Sequence, residues 1–380
     1  MSHLFSMRQR AVQKRWLFPP LAILIFLLIA LAAVSARRWL HLVWPGLPGA
    51  VFWPVYVILP MSIGISYMLP RSVLSRVLHC IGECYLGFFI YMSTAVIALQ
   101  ILHLIARLAG HTFTDRGRCI AGFVVLAVTV AVYLYGVINA FFLRETHYEI
   151  EVDLSRSMDL RLVLLSDLHL GFTTGRNMVR RIARKVNALN GDLVLIAGDL
   201  FDEAYSTLRR SGQVAADLRS LHGRLGVYAC LGNHDMLSDD PRKEDFYRRA
   251  GITVLQDETV QIDGITVAGR RDAVCPDRLS VPELLRDRDG PVILLDHQPN
   301  QIWAARDAGV DLILSGHTHG GQTFPGNYLV HFMHELSYGY RQYGKTHAFV
   351  TSGAGFWGPP LRVLMFNEVV CIDVRFQKEA

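Results

Sequence analysis

The sequence predicts an α/β domain behind an anchor of several apolar helices, and three observations carry that reading. Apolar runs of membrane-spanning length crowd residues 1–145. From Thr146 onward the runs shrink to strand length and alternate with amphipathic helical stretches. Several of those strands end in Asp, Asn or His, so the carboxyl edge of one sheet gathers metal-binding side chains.

The anchor comes first. The chain of 380 residues is 51% hydrophobic, and its mean hydropathy of +0.27 is high for one soluble domain. The excess lies in the N-terminal part. Arg8, Arg10, Lys14 and Arg15 precede an apolar run from Leu17 to Ala36, and about 20 such residues cross a bilayer core. Further runs cover Ala50 to Leu69, with Pro54 and Pro60 inside, then Tyr85 to Ala106 and Cys119 to Leu143. Any one alone would pass for a buried core helix; in succession, joined by short Arg-containing links, they read as a membrane anchor. A signal peptide cleaved at Ala36 is the alternative for the first run, and the three later ones favour an anchor. An even number of spans puts both chain ends on one side. The basic N-terminal tail, with Arg71 and Arg76, makes that side cytoplasmic, while Arg107, Arg116 and Arg118 point the other way.

Charge and cysteines exclude little but say something. A net charge of +5 suits anionic lipid or a phosphorylated substrate and gives no nucleic-acid-binding signal. Six cysteines show neither a disulfide framework nor zinc-knuckle spacing, and Cys230, Cys275 and Cys371 read as buried free thiols.

In the C-terminal domain the expected strands are Leu160 to Leu165, Leu193 to Ala197, Val227 to Leu231, Val292 to Leu295, Leu312 to Leu314, Ala348 to Thr351 and Val369 to Phe376. Helices are expected over Asn177 to Leu189, Ser206 to Leu221, around Phe246 to Ala250, and over Gln301 to Ala308. Ile252 to Ala268 reads as β structure turning at Asp263-Gly264. There is no internal repeat, nucleotide-binding Gly-rich loop or nucleophile elbow.

The strand endings carry the chemistry. They read Asp167-Leu168-His169, Gly198-Asp199-Leu200-Phe201-Asp202, Gly232-Asn233-His234-Asp235, Asp296-His297 and Gly316-His317-Thr318-His319, where Gly316 is expected to free the backbone for a sharp turn. Each ending alone would pass for turn chemistry or a surface histidine. Together they gather carboxylates, an amide and imidazoles whose mutual repulsion calls for cations. Mixed oxygen and nitrogen donors favour transition metals over calcium.

This order resembles the calcineurin-like metallophosphoesterase superfamily, whose motifs run Asp-x-His, Gly-Asp-x-x-Asp, Gly-Asn-His-Asp/Glu, His and Gly-His-x-His, over roughly Leu160 to Asp373. Thr351-Ser352-Gly353-Ala354-Gly355 and Gly358-Pro359-Pro360-Leu361-Arg362 are similar to its membrane-associated bacterial branch, some members of which hydrolyse phosphodiesters or the pyrophosphate of a nucleotide-linked acylated sugar. Phe366-Asn367-Glu368 departs from the Pro-Pro-Glu more usual there, which touches packing and not the ligands.

The resemblance implies a two-sheet α/β/β/α sandwich, here following the four-span anchor read from the apolar runs, in a bacterial inner or plasma membrane. It implies two divalent ions, Mn, Fe or Zn, with Asp167, His169 and His319 on one, Asn233, His297 and His317 on the other, and Asp199 bridging. A water shared by the ions would attack phosphorus in line. His234 would stabilise the transition state or protonate the leaving oxygen, Asp202 would orient His234, and Asp235 and Asp296 would support the ligands from outside. The implied reaction is hydrolysis of a phosphodiester, pyrophosphate or phosphomonoester, with a lipid-linked substrate made attractive by the anchor. A transporter or scaffold whose domain only binds metal is the rival, and it would need neither Asp202 nor His234. Two basic groups stay open at this point: Arg180, Arg181, Arg184 and Lys185 on one helix face, as a solvated surface or a head-group contact, and Arg270 and Arg271, as substrate ligands or solvent-facing residues.

Overall fold

A computed structural model of the chain describes residues 33–377 apart from 42, 154–157, 203, 238 and 239. The basic N-terminal tail and nearly all of the first expected span lie outside the described residues. The described residues form two compact units, one up to Ile65 and over Ile81–Leu134, the other over Ser66–Cys80 and from Tyr135 onward.

Residues 33–41 are helical, and three long helices follow: α1 (Gly49–Met68), α2 (Val73–Leu108) and α3 (Asp115–Ala140). All three are long and apolar enough to cross a membrane, with mean hydropathy of 1.6, 2.0 and 2.3 over their best windows. Their apolar surface is mostly outward, as lipid requires. Where they meet, small residues allow close approach. A Cβ on Gly82 would lie 2.5 Å from Ile63, and one on Gly122 would press on Val43 and Trp39.

The larger unit holds two six-stranded sheets, with orders β1-β12-β2-β3-β4-β5 and β10-β11-β9-β8-β7-β6. The first is built from β1 (Leu143–Asp153), β2 (Met158–Leu165), β3 (Leu193–Ala197), β4 (Val227–Cys230), β5 (Thr253–Val254) and β12 (Asn367–Gln377); β2 to β5 run parallel. The second is built from β6 (Glu258–Ile262), β7 (Ile265–Gly269), β8 (Val292–Leu295), β9 (Leu312–Ser315), β10 (Gly339–Tyr343) and β11 (Thr346–Val350), with β7, β8, β9 and β11 parallel.

Side-chain alternation explains the layers. On β2, Leu160, Leu162 and Leu164 face inward and share a core with Val267, Leu295 and Leu314 of the other sheet. Val163 and Leu165 face outward and are covered by Met178, Val179, Ile182 and Val186 of α4 (Arg176–Ala188) and by Val214 and Leu218 of α5 (Ser211–Leu218). On the far side Leu294 and Ile313 pack under Ile302 and Ala305 of α8 (Ile302–Asp307), which follows α6 (Arg242–Ala250) and α7 (Val281–Leu284). The fold is therefore an α/β/β/α sandwich of two mixed sheets, with the carboxyl ends of β2, β3, β4, β8 and β9 at one edge.

Some expectations need correction. The helix expected over Ser206 to Leu221 is shorter, because Arg210 adopts a left-handed backbone (φ 56°) and separates a 3-10 turn from α5. β1, β10 and α9 (Gly326–Met333) were not foreseen. β1 starts at Leu143, inside the last expected apolar run, although Thr146, Tyr148, Ile150 and Val152 alternate with polar residues as a strand should. The Asp263-Gly264 turn has positive φ at both positions (49° and 81°), the geometry a tight hairpin needs.

Candidate metal centre

The ligand loops leave the strands through unusual backbone. Asp167, His169, Asp199, His317 and His319 all have φ between 46° and 69°. Each such non-glycine residue costs about 1 kcal/mol or more, and that strain persists only where the surroundings enforce it. Close approach does the enforcing. A Cβ on Gly316 would sit 1.9 Å from the Ser166 Oγ and 2.3 Å from the Asp167 Oδ2. A Cβ on Gly232 would sit 2.2 Å from the Asp199 Oδ1. Gly316 is thus required for room, since its own φ is not positive, which corrects the expectation that it serves the turn.

The side chains converge in three groups whose ligand atoms lie within 4.8 Å of one another: Asp167, His169 and His319; His169, Asp199 and His234; Asp199, His297 and His317. His169 and His319 bring their Nε2 atoms to 3.0 Å. Two ligands at right angles on one ion, with bonds of about 2.1 Å, stand about 3 Å apart. Asp167 Oδ1 is 3.5 Å from His319 Nε2 and 3.7 Å from His169 Nε2. On the other side Asp199 Oδ2 is 3.0 Å from His297 Nε2. The His297 and His317 rings are 5.2 Å apart.

Two observations fit these residues to metal ions. First, the Asn233 Oδ1 is buried and makes no hydrogen bond, and His297 Nε2 has only the Asp199 carboxylate, a fellow candidate ligand, 3.0 Å away. Second, the far nitrogens are held as metal-ligating histidines require. His297 Nδ1 donates to the Ala197 carbonyl at 2.7 Å. His169 Nδ1 donates to the Asp202 carboxylate at 3.1 Å. Both contacts leave Nε2 as the nitrogen turned toward the other ligands.

Electrostatics agree. Burial opposes charge on Asp167, but His319 and His169 outweigh it and hold the carboxyl well below its usual range. Burial likewise opposes charge on His169 and His297, yet neighbouring carboxylates push each up to about 10. Burial, reinforced by His297, brings His317 down to about 4, and burial also carries His319 well below its ordinary value. Asp167 and Asp199 thus draw positive charge onto His169 and His297, a role that divalent cations would fill when bound.

His234 and Asp202 meet differently from the expectation. His234 Nδ1 donates to the Asp202 backbone carbonyl at 2.6 Å, while the Asp202 carboxylate lies 3.7 Å from it and bonds His169 instead. Asp202 therefore orients His234 through its main chain and His169 through its side chain. Asp235 accepts from the amides of Leu200, Phe201 and Gly232 and from the Tyr247 hydroxyl, which clamps the loops carrying Asp199 and Asn233 together. Asp296 is buried against Arg270 (2.8 Å) and Arg278 (3.3 Å). That pairing takes Arg270 out of both roles left open for it, and Arg271 pairs with Asp277.

Sequence reasoning missed the role of Arg362. Its side chain is fully buried and donates to the carbonyls of His319, Ser352 and Gly355, with Nη2 also 3.2 Å from His319 Nδ1. Burial lowers its pKa to about 10, so it stays cationic at neutral pH. The peptide carrying it is bonded to the end of α3: Arg362 N donates to the Gly136 carbonyl, and Asn139 Nδ2 donates to the carbonyls of Arg362 (3.0 Å) and Met365 (2.7 Å). A charged residue between Leu361 and Val363 was the available signal, because an arginine in an apolar triplet needs buried acceptors.

Comparisons with known proteins agree with this geometry. The calcineurin-like phosphoesterase family model matches residues 160–321. An uncharacterised metallophosphoesterase of Helicobacter pylori is 36% identical over 233 residues, covering 58% of this chain and 61% of that protein. A transmembrane protein with metallophosphoesterase domain of Danio rerio is 36% identical over 275 residues, covering 66% of this chain and 62% of that protein. An Aquifex aeolicus metallophosphoesterase is 32% identical over 261 residues, covering 65% of this chain and 98% of that protein. The chain thus spans about three fifths of the first two relatives and nearly all of the third. With an α/β/β/α sandwich, ligand groups at the strand ends and a relative matched along almost its entire length, the chain belongs to the calcineurin-like metallophosphoesterase family.

Proposed function

We propose that this chain is a membrane-anchored phosphoesterase that works with two divalent transition-metal ions and hydrolyses a phosphate ester or anhydride of a lipid-linked substrate. The observation that carries the reading is two adjacent ligand groups, Asp167 with His169 and His319, and Asp199 with His297 and His317. Asp199 Oδ2 lies 3.9 Å from His169 Nε2, and the buried Asn233 Oδ1 is without a partner. Asp167, His169 and His319 would hold one ion, Asn233, His297 and His317 the other, and Asp199 would touch both. When bound, such a pair lowers the pKa of a shared water and neutralises phosphoryl oxygens.

The chain's own residues supply the rest. His234 has Nδ1 committed to the Asp202 carbonyl, so Nε2 is the atom that would deliver a proton to the leaving oxygen or bond a phosphoryl oxygen. Its ring stands 4.8 Å from His169, close enough to share a substrate with the ligands. Trp357, exposed and 6.0 Å from the His234 ring, would exclude water from one flank.

Support for a lipid-linked substrate comes from the apolar surface beside the site. α9 buries none of its side chains, and Tyr328, Leu329, Phe332 and Met333 are exposed on it. His334, the next residue, has its ring 6.2 Å from that of His317. An apolar helix at the mouth of a polar centre suits acyl chains or the bilayer surface. A cytoplasmic domain is the orientation we favour. Tyr67 and His79 flank the α1–α2 link and pack on Phe172, so Arg71 and Arg76 lie on the domain's side of the membrane. Cleavage of the domain by protease added outside intact cells would reverse that assignment.

The test uses the purified full chain in mixed micelles, loaded with Mn and given phosphomonoesters, phosphodiesters and lipid pyrophosphates. Hydrolysis that vanishes with chelator, and is faster for a lipid-borne substrate than for its soluble head group, is the expected result. No turnover of any of them with two ions bound would end the enzymatic reading.

A further inference from the structure

A second polar cavity, of about 400 Å3, lies within the larger unit and shares no lining residue with the metal centre. Its walls include Arg76, Arg176, Arg180, Arg181, Arg209 and Arg210 and, among the described residues, no Asp or Glu. Few of these charges are compensated. Arg176 pairs with Asp217 at 2.6 Å, and Arg181 donates to the Phe141 carbonyl, which is neutral. Arg76, Arg180, Arg209 and Arg210 make no ion pair among the described residues. Crowding like charges costs folding free energy, and Arg176 and Arg180 stand one turn apart on α4, a spacing at which like charges destabilise a helix.

The neutral groups here also await an acceptor or donor. Thr174 lines the cavity, is 3% exposed, and its hydroxyl has no hydrogen-bond partner. Gly175 precedes α4 and gives it no side-chain cap, so the first amides of a 13-residue helix add their partial positive charge.

We propose that this cavity binds the phosphate of an anionic membrane-lipid head group. The class of ligand follows from the walls: guanidinium forks, a hydroxyl and uncapped amides together match tetrahedral phosphate oxygens. The lipid source follows from where the walls come from. Arg76 sits in the first turn of α2, and Phe141 directly follows the end of α3, so the cavity gathers two points at which the chain leaves an apolar helix. Phe141 and Phe142 are exposed there, as aromatic residues at the head-group level are. A ring of arginines at that depth meets the phosphate layer. The proposal is independent of the chemistry at the metal centre.

The experiment is native mass spectrometry of the full chain from detergent micelles, titrated with phosphatidylglycerol, with phosphatidylcholine of the same acyl chains, and with inorganic phosphate. Arg180→Gln/Arg209→Gln is the test variant. Wild-type protein should retain phosphatidylglycerol about tenfold more tightly than phosphatidylcholine, and the variant should lose that preference. Inorganic phosphate in millimolar excess should leave the lipid bound. If inorganic phosphate instead binds the wild type and not the variant, while the two lipids are retained alike, the cavity serves a free anion and the lipid assignment falls. Equal phosphatidylglycerol retention by wild type and variant overturns the site altogether. Metal content and thermal midpoint confirm that the variant is folded; should it not be, Thr174→Val, which removes the unpartnered hydroxyl while keeping the shape, carries the same comparison.

Discussion

The two ligand groups of the metal centre are supported by different means. Around Asp167, His169 and His319 the support is charged side chain: the Asp202 carboxylate holds His169, and the buried Arg362 guanidinium holds His319. Around Asn233, His297 and His317 the support is mixed: the Ala197 carbonyl fixes His297, and the Asp235 carboxylate clamps the Asn233 loop through its backbone amides. Side-chain support can be removed by one substitution, whereas a backbone carbonyl cannot. His169 and His319 should therefore be fragile towards mutation of their neighbours and His297 tolerant.

The largest effect should come where the groups meet. Asp199→Asn removes the charge common to both, so elemental analysis should fall from two ions per chain towards none, with turnover lost. Two retained ions would dissolve the idea of a shared ligand. Next comes His234, which faces both groups and holds neither in our reading. His234→Asn should lower turnover about 10²–10⁴-fold while metal content stays at the wild-type level. Metal loss would move His234 into the ligand set.

Asp202→Asn is the sharpest test of the contrast itself. It takes the carboxylate from His169 and leaves the carbonyl that fixes His234. One of the two ions should be held about 10–100-fold more weakly in chelator competition, with the other unchanged. Equal weakening of both would break the comparison. The smallest effect is expected at Asn139, whose amide bonds the peptide carrying Arg362. Asn139→Ala should cost about 1–2 kcal/mol, seen as a lower thermal midpoint, and should slightly weaken the same ion as Asp202→Asn.

Much of this was legible because buried strands and polar loop ends alternate so plainly. Leu193 to Ala197 is wholly apolar and ends at Gly198-Asp199, so strand, turn and ligand follow from one pattern. The seven candidate ligands lay at such junctions. Other features resisted because they depend on contacts distant in sequence. Nothing local to Asp202 says that its carboxylate reaches back 33 residues to His169 and its carbonyl forward to His234. Gly316 looked like a turn residue, and only the neighbouring Ser166 and Asp167 reveal it as a spacer. Phe366-Asn367-Glu368 was expected to concern packing alone. The Asn367 amide in fact bonds the Ala140 carbonyl, and Glu368 accepts from Thr351 and the Ser352 amide.

The bond between Asn139 and the Arg362 peptide bears on how this enzyme can be cut. The change of composition at Thr146 invites a water-soluble fragment that starts there. Such a fragment would lose Asn139 and Ala140, remove the first residues of β1 from their pairing with β12, and bare Leu361 and Val363, which now lie where a Cβ on Gly136 would come within 2.7 Å of both. The strap behind His319 would hang free at one end. A fragment opening at Tyr135 keeps the whole fastening, since it restores the six helical residues Tyr135 to Ala140, then Phe141 and Phe142, and the first three residues of β1. The last turn of this apolar helix is in this sense a piece of the metallophosphoesterase-family domain, and the natural seam of the molecule runs through the helix, short of its end.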